Sequence, residues 1–308
     1  MFSVVFPGQG SQIVGMAQEF YNNFNYVKNY FGLADELLKK NLSKIILDGP
    51  KNELDQTENT QPAIFLVSYS IFKTIEHETK FNINDAKFFA GHSLGEYSAL
   101  SCAGYLNFSE TIKILRARGH AMQNSMPKGE GGMLAVLGSK IEEVEKILKD
   151  NQNNFKAQVA NDNSDGQLVI SGKTRDLQIF SEFLKDKKIR NIKLPVSAPF
   201  HCNLMSKATK VMTKELQKIN FKKSKNILIS NVTADEISNV EDLKILLINQ
   251  IEKRVRWRES IHNMVNKGVS QFIEIGPGKV LSGLVKRINK DVKISSINSQ
   301  SDIESLNI

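Results

Sequence analysis

Short apolar runs alternate with amphipathic helical patterns along most of the chain, and this alternation restricts the fold more than any other feature. Residues 3–6, 87–90 and 271–275 predict short buried strands, and helical patterns with a period near 3.6 residues follow each of them. Strands and helices that alternate in this way form a mostly parallel sheet covered by helices. We therefore predict an α/β fold.

The pattern changes between residues 127 and 198. Here the predicted order is strand, helix, strand, strand, helix, strand, which is the order of a small ferredoxin-like unit. The glycine-rich segment 127–132 opens this region, and Pro195 and Pro199 mark its end, as is typical of segment boundaries. We therefore predict a core formed by residues 1–126 and 199–308, with a ferredoxin-like α+β subdomain inserted at 127–198.

Several element limits rest on local signals alone. Pro62 predicts the first turn of a helix at 62–76, and Ser109 predicts a helix N-cap. Residues 226–231 predict a strand, and the turn-rich segment 162–166 predicts a connection between two strands. Tertiary contacts can shift each of these limits.

The chain has 308 residues and a formal net charge of +8, which raises the question of a nucleic-acid partner. Its lysines lie mostly on predicted helix faces, with no aromatic interleaving and no zinc, helix-turn-helix or RNA-binding pattern. We therefore expect no nucleic-acid partner. A biased composition and other anionic partners both remain as explanations of the charge.

The sequence predicts a cytoplasmic protein. Its apolar runs are far shorter than the roughly 20 residues needed to cross a bilayer, and its start carries no secretory signal pattern, so we expect no membrane association. Cys102 and Cys202 predict reduced core thiols, which fits the cytosol. No His, Cys or carboxylate cluster has ligand spacing, so we also expect no metal site.

Ser93 lies between Gly91 and Gly95, where a predicted strand meets a predicted helix. A G-x-S-x-G sequence in this setting predicts a nucleophile elbow, a strained turn that lifts a serine hydroxyl above the edge of a sheet. The backbone N–H of Leu94 would then point toward the oxygen of an acyl group on the serine, and the turn after the first strand can supply a second N–H from Gln9. An ordinary glycine-containing bend remains the alternative.

A serine nucleophile needs a base, and His201 is the candidate among the five histidines. It follows a predicted strand on a loop that can face Ser93. His92 adjoins the serine, but we expect the turn to direct its ring away, toward a structural hydrogen bond. The remaining histidines lie on or near predicted helices, where most histidines are surface or core residues.

Arg118 has apolar neighbours on its predicted helix face: Ile114, Leu115, Ala121 and Met122. An arginine buried on such a face needs an anionic partner, because an unpaired buried charge is costly. The partner is either a carboxylate elsewhere in the chain or the carboxylate of a substrate held by the guanidinium fork.

Taken together, these residues resemble the malonyl-CoA:acyl carrier protein transacylases, acyltransferases of fatty-acid and polyketide synthesis. The resemblance covers essentially the whole chain. It rests on FPGQGSQ at 6–12, TQPA at 60–63, GHSLGEYSAL at 91–100, RG at 118–119, PFHC at 199–202 and GPGKVL at 276–281. It implies an α/β-hydrolase-like core with an inserted ferredoxin-like subdomain. It also implies transfer of malonyl from malonyl-CoA to the phosphopantetheine thiol of acyl carrier protein.

The resemblance implies roles for the matching positions. Ser93 would be the nucleophile, and His201 its general base and later its general acid. Arg118 would pair with the malonyl carboxylate. The N–H groups of Gln9 and Leu94 would bind the oxyanion of the tetrahedral intermediate.

Four further positions take implied roles. In the family a backbone carbonyl orients the catalytic histidine, and the matching residue would be Arg256. Phe200 would crowd an α-methyl group and so favour malonyl, and Asn161 and Asn163 match asparagines that approach the active site. The resemblance implies no resident cofactor, because the coenzyme A thioester is a substrate and the carrier protein brings the phosphopantetheine. We also expect a monomer.

Three other functions compete with this interpretation. A serine hydrolase needs the same elbow, base and oxyanion hole, but it has no use for a buried Arg118. An acyltransferase that serves a polyketide synthase shares the motifs and differs in its carrier protein. A non-catalytic scaffold would not need Ser93, His201 and Arg118 together.

Overall fold

The computed structural model describes residues 1–196, 198–237 and 239–307, and these form two four-stranded sheets surrounded by helices. The strands are β1 (Phe2–Phe6), β2 (Phe89–Gly91), β3 (Gly131–Leu137), β4 (Ala157–Ser164), β5 (Gln167–Lys173), β6 (Arg190–Lys193), β7 (Gln271–Ile275) and β8 (Lys293–Ile297). The α-helices are α1 (Gln18–Asn23), α2 (Asn25–Leu38), α3 (Leu42–Leu47), α4 (Lys51–Leu54), α5 (Thr57–Glu78), α6 (Gly95–Cys102), α7 (Phe108–Gln123), α8 (Ile141–Asp150), α9 (Thr174–Asp186), α10 (Ser206–Gln217), α11 (Val240–Gln250), α12 (Trp257–Asn266), α13 (Val280–Ile288) and α14 (Gln300–Glu304).

The first sheet is parallel, with strand order β2-β1-β7-β8. β1 and β2 come before the second sheet in the chain, and β7 and β8 come after it. Since the carboxyl ends of parallel strands meet at one edge of a sheet, the loops after β1, β2 and β7 meet there. The predicted α/β fold with a parallel sheet is confirmed.

The second sheet is antiparallel, with strand order β4-β5-β3-β6, and lies between β2 and β7 in the chain. Its two faces pack differently because successive side chains of a strand alternate. Met133 and Val169 join the large apolar cluster that also contains Phe6 of the first sheet. Leu134 and Ile170 pack under α8 and α9.

A backbone bridge joins the edge of the second sheet to the loop before α12. The Val255 N–H donates to Ala160 O at 2.9 Å, and the Asp162 N–H donates to Val255 O at 2.9 Å. Arg258 adds an ion pair to Asp162, with Nη2 and Oδ2 3.0 Å apart. These contacts hold β4 next to the carboxyl edge of the first sheet.

Tertiary contacts shift the predicted start of two helices. Helix α5 begins at Thr57, so Pro62 lies inside it rather than in its first turn. The Glu58 carbonyl, which a residue-62 N–H would normally reach, instead accepts a hydrogen bond from Arg116 Nη1 at 2.9 Å. Helix α7 has Asn107 as its N-cap rather than Ser109, and the Asn107 side chain accepts from the Glu110 N–H.

Two other predicted limits were wrong. Segment 226–231 forms only isolated bridges, from Leu228 and Ile229, because the chain turns away after Ser230. Strand β4 extends to Ser164, so the turn before β5 is shorter than predicted. Among the described residues, no helix combines the length and the apolar character needed to cross a membrane.

Candidate active site

Ser93 lies on a tight turn between β2 and α6, with φ of 54°. The turn brings backbones so close that only glycine fits beside the serine. A Cβ on Gly91 would lie 1.9 Å from the Gly95 carbonyl oxygen, and a Cβ on Gly95 would lie 2.2 Å from the Phe6 carbonyl oxygen. The predicted strand-to-helix elbow is therefore present, rather than an ordinary bend.

The side chain of Asn231 forms two hydrogen bonds with the backbone of this elbow. Its Oδ1 accepts from the Ser93 N–H at 2.7 Å, and its Nδ2 donates to Gly91 O at 2.7 Å. A non-glycine residue with positive φ costs roughly 1–3 kcal/mol and persists only where surrounding contacts hold it. Asn231 supplies two of these contacts.

His201 faces the serine, with Nε2 2.8 Å from Ser93 Oγ. Its other ring nitrogen, Nδ1, lies 2.7 Å from the carbonyl oxygen of Gln250. A carbonyl oxygen only accepts, so Nδ1 carries the proton and Nε2 is free to accept the serine proton. Burial and the nearby Arg118 charge lower the pKa of His201 to about 3, which keeps the imidazole neutral near pH 7.

The prediction that Arg256 supplies this carbonyl was wrong. Arg256 is the N-cap of α12, and its carbonyl accepts from the Ser260 N–H at 3.0 Å and from Ser260 Oγ at 2.9 Å. Gln250 is instead the last residue of α11. The last carbonyls of a helix have no partner within the helix, so the Gln250 oxygen is free to accept from the histidine.

Arg118 is 1% exposed, and its guanidinium points to the serine. Nη2 donates to Ser93 Oγ at 3.2 Å and to Gln250 Oε1 at 2.7 Å, and Nη1 donates to Gln61 Oε1 at 2.7 Å. Within the described residues these acceptors are all neutral oxygens, and the buried Nε has no hydrogen-bond partner. The first alternative, an ion pair with a carboxylate of the chain, is therefore not found there, and the neutral oxygens leave the cation able to bind an anion.

The backbone of the first turn lies directly against the elbow. A Cβ on Gly8 would be 2.7 Å from the His92 carbonyl oxygen, so glycine allows the close approach that places Gln9 beside the site. The backbone N–H groups of Gln9 and Leu94 donate to no acceptor among residues 1–196, 198–237 and 239–307. Leu94 also stands at the start of α6, where N–H groups are exposed and the helix dipole is positive.

The ring of His92 points away from the serine, as we predicted from its position in the turn. Its Nε2 lies 2.8 Å from Asn163 Oδ1, and its ring meets the Trp257 ring edge to face, with centroids 5.7 Å apart. Burial lowers the pKa of His92. Asn163 thus reaches the back of the elbow, whereas Asn161 pairs through its backbone with Val255, in the loop before α12.

Phe200 is buried in the large apolar cluster, directly before His201. Its carbonyl oxygen accepts a hydrogen bond from Ser171 Oγ at 2.5 Å. This bond ties the histidine loop to β5 of the second sheet. His201 itself has a φ of 57°, so this loop, like the elbow, is held in a conformation unusual for a non-glycine residue.

A buried carboxyl, Glu96, lies behind the site on α6 and is 1% exposed. Gln250 Nε2 donates to its Oε2 at 2.5 Å and to Ser93 O at 2.9 Å. Burial raises the pKa of Glu96 to about 7, although Gln250, the Asn231 N–H and the Arg118 charge act in the opposite direction. Gln250 therefore contacts the serine backbone, the base, the buried cation and this carboxyl.

A family model for the acyl transferase domain matches residues 3–305. The chain belongs to this family. It is 40% identical to a malonyl CoA-acyl carrier protein transacylase of Bacillus subtilis (strain 168) over 302 residues, which are 97% of this chain and 94% of that protein. The resemblance drawn from the sequence motifs is thus confirmed.

Solved structures show the same relationship to this acyl transferase. An acyl-carrier-protein S-malonyltransferase of Bartonella henselae matches with a TM-score of 0.96 at 40% identity, covering 100% of this chain and 99% of that one. A malonyl-transacylase in complex with its type II polyketide synthase acyl-carrier protein matches with a TM-score of 0.94 at 34% identity, covering 99% of this chain and 98% of that one.

Sequence reasoning missed four polar residues of the acyl transferase site. Gln61 and Glu96 lie inside two of the motifs that carry the resemblance, so a signal existed for both. Asn231 and Gln250 had no local signal. They reach Ser93 from 138 and 157 residues away in the chain, and only the fold brings them together.

Proposed function

We propose that this acyl transferase moves the malonyl group of malonyl-CoA to the phosphopantetheine thiol of acyl carrier protein, through a serine ester, and so supplies extender units for fatty-acid synthesis. The observation that carries the proposal is a buried guanidinium 3.2 Å from the oxygen of a serine that also faces a neutral histidine. Relatives named for this activity, and a related enzyme solved with its carrier protein, support it.

The first half-reaction loads the enzyme. His201 Nε2 accepts the hydroxyl proton as Ser93 Oγ attacks the thioester carbonyl, and the Gln250 carbonyl stabilises the imidazolium through Nδ1–H. The N–H groups of Gln9 and Leu94 donate to the oxyanion. When the carbon–sulfur bond breaks, His201 returns the proton to the sulfur, and coenzyme A leaves as its thiol.

The second half-reaction repeats these steps with a different nucleophile. The phosphopantetheine thiol gives its proton to His201 and attacks the ester carbonyl of malonyl-Ser93. The same two N–H groups hold the second oxyanion. The carbon–oxygen bond then breaks, Ser93 Oγ recovers the proton, and the malonyl thioester leaves on the carrier protein, so the kinetics are ping-pong.

Arg118 explains the choice of malonyl. Its fork can form charge-assisted hydrogen bonds with a carboxylate, and it would stay without an anion if an acetyl group occupied the site. Phe200 adds a steric preference, because an aromatic ring beside the base would crowd an α-methyl group. We assign Asn163 and His92 to support of the elbow, and Asn161 to the junction with the second sheet.

We also propose a finer description of the fold. Residues 1–126 and 199–308 would form an α/β-hydrolase-like core, and residues 127–198 a ferredoxin-like subdomain; Ser197, Ser238 and Ile308 of these ranges lie outside the described residues. The parallel order of the first sheet, and the β4-β5-β3-β6 order of the second with α8 and α9 on one face, support this division.

The proposal includes the setting in which the enzyme works. We place it in the cytoplasm as a monomer, with acyl carrier protein and malonyl-CoA as its partners and without a nucleic-acid or membrane partner. Coenzyme A and phosphopantetheine enter as parts of the two substrates. No resident cofactor or metal ion takes part in the steps above.

Intact-protein mass spectrometry tests the proposal. The enzyme is mixed with malonyl-CoA, and carrier protein bearing its phosphopantetheine arm is then added, with Ser93→Ala as the control. We expect a malonyl adduct on Ser93 that moves to the carrier. An adduct that passes only to water would favour a hydrolase, and the absence of any adduct on folded enzyme would contradict the proposal. Comparison of fatty-acid and polyketide carriers separates those two pathways.

A further inference from the structure

The buried carboxyl of Glu96 takes no part in the proton transfers described above. It lies three residues after Ser93, and its carboxylate oxygens accept from Gln250 Nε2 and, at 3.4 Å, from the Asn231 N–H. Burial of a carboxylate is costly unless hydrogen bonds or a nearby cation compensate for the lost water. The side-chain partner of Glu96 is Gln250, which also contacts Ser93 and Arg118.

The Gln250 carboxamide has two possible orientations, and its neighbours distinguish them. In the observed one, Nε2 donates to Glu96 Oε2 and to Ser93 O, while Oε1 accepts from Arg118 Nη2 at 2.7 Å. Rotation by half a turn would place the NH₂ group against the guanidinium and Oε1 against two acceptors. Three favourable contacts would become three unfavourable ones, and Glu96 supplies the acidic member of the set, opposite the Arg118 cation.

We propose that Glu96 is a positioning residue for malonyl recognition: it fixes the Gln250 carboxamide and, through that amide, the Arg118 guanidinium that receives the malonyl carboxylate. The inference rests on the proposed function. It assigns Glu96 to the selection of the acyl group rather than to the acyl-transfer chemistry.

The charges around Glu96 add a second consequence. The Arg118 charge on α7 acts on Glu96 across the Gln250 amide, Tyr97 follows Glu96 on α6, and the neutral His201 contacts the Gln250 carbonyl. Glu96 changes charge near pH 7, as its raised pKa indicates. A malonyl carboxylate on Arg118 brings a second negative charge close to Glu96, so malonyl binding should take up a proton there and weaken as pH rises through about 7.

Two substitutions separate orientation from mere packing. Glu96→Leu fills the space but offers no acceptor, so the Gln250 amide loses its orienting partner. Glu96→Gln keeps an oxygen that can accept from Gln250 Nε2. Glu274→Leu is the matched control, because Glu274 is an equally buried carboxyl that accepts from the Leu281 and Ser282 N–H groups, away from Arg118.

The readout is the ratio of kcat/KM for malonyl-CoA to that for acetyl-CoA, measured as acylation of Ser93. For Glu96→Leu we expect about a tenfold fall in this ratio, mainly through a higher KM for malonyl-CoA. This magnitude corresponds to the loss of one hydrogen bond, the one from Gln250 to Glu96 that orients the amide against Arg118. Glu96→Gln should restore the ratio to within about threefold, and Glu274→Leu should leave it unchanged while lowering stability.

An equal loss of malonyl and acetyl use in Glu96→Leu, which leaves the ratio unchanged, would assign Glu96 to packing alone and overturn the inference. Wild-type use of both thioesters by Glu96→Leu would overturn it as well. If Glu96→Leu does not fold, the inference is tested by comparing how the malonyl-to-acetyl KM ratio depends on pH in the wild type and in Glu96→Gln. The malonyl-to-acetyl KM ratio should rise through about pH 7 in the wild type and stay flat in Glu96→Gln; identical profiles would overturn the inference. A wild-type enzyme that takes no malonyl would instead overturn the proposed function.

Discussion

Replacement of Arg118 by alanine tests the basis of substrate selection most directly. The guanidinium is 1% exposed and lies 3.2 Å from the serine oxygen, and its acceptors within the described part of the chain are neutral oxygens. A bound malonyl carboxylate would therefore be its anionic partner. Two charge-assisted hydrogen bonds at about 1.5 kcal/mol each would together contribute about 3 kcal/mol.

That free energy corresponds to roughly a 150-fold fall in malonyl use relative to acetyl use. The assay follows the mass of the enzyme over time after mixing with malonyl-CoA or acetyl-CoA, and compares kcat/KM for the two. Arg116→Ala is the matched control. Arg116 lies on the same helix and pairs with Glu58 Oε1 at 3.1 Å. It should change stability but not the ratio.

Acylation by acetyl-CoA distinguishes selection of the acyl group from general support of the site. If Arg118→Ala slows acylation by malonyl-CoA and acetyl-CoA to the same extent, the guanidinium supports the fold or the serine and does not select the acyl group. Wild-type rates of acylation by both thioesters would return Arg118 to a structural role with its two glutamines. Either result would also remove the reason to expect discrimination from this site.

Three further predictions concern the serine, its base and its support. Ser93→Ala should abolish acylation, and a mutant labelled as fully as the wild type would refute the nucleophile assignment. Because the pKa of His201 is lowered to about 3, acylation by acetyl-CoA, whose acetyl group carries no charge, should lose no rate between about pH 8 and pH 5; an acid limb centred near 6.5, the ordinary histidine value, would contradict the buried neutral base. Asn231→Ala should slow acylation by malonyl-CoA and acetyl-CoA alike, by about tenfold for the loss of two hydrogen bonds to the elbow, whereas a selective loss of malonyl use would contradict a purely positional role.

The pKa shift of His201 also has a consequence for stability. Its folded-state pKa lies below the unfolded value of about 6.5, so the unfolded chain binds more protons at this residue between those two values. The free energy of unfolding should therefore decrease as the pH falls below about 6.5. Urea unfolding at several pH values, compared between the wild type and His201→Ala, isolates this contribution.

Local sequence was sufficient where several short-range constraints coincide on one residue. Ser93 stands between two glycines at the end of an apolar run, and both glycines lie against neighbouring backbone atoms where a Cβ would not fit. Arg118 was identifiable because every neighbour on its helix face is apolar. Both signals lie within a few residues of the side chain concerned, and the structure has the turn at Ser93 and the buried Arg118 that they predicted.

The contact to His201 that sequence reasoning missed is made by a backbone group, which any side chain would leave unchanged. The carbonyl that orients His201 belongs to the end of α11, and a free helix-end carbonyl has no signature in the sequence. The start of α5 was misplaced for a similar reason. The carbonyl that Pro62 leaves without an N–H is satisfied by Arg116, from a different helix.

The position of Gln250 links substrate selection to catalysis. Its backbone carbonyl holds the base, while its side-chain oxygen holds the cation that would receive malonyl. The Arg118 charge is one of the causes of the low His201 pKa. When a malonyl carboxylate neutralises that charge, the imidazole should become more basic, just as it must accept a proton from the incoming thiol. An acetyl group brings no such charge, so the same arginine would favour malonyl both in binding and in the strength of the base.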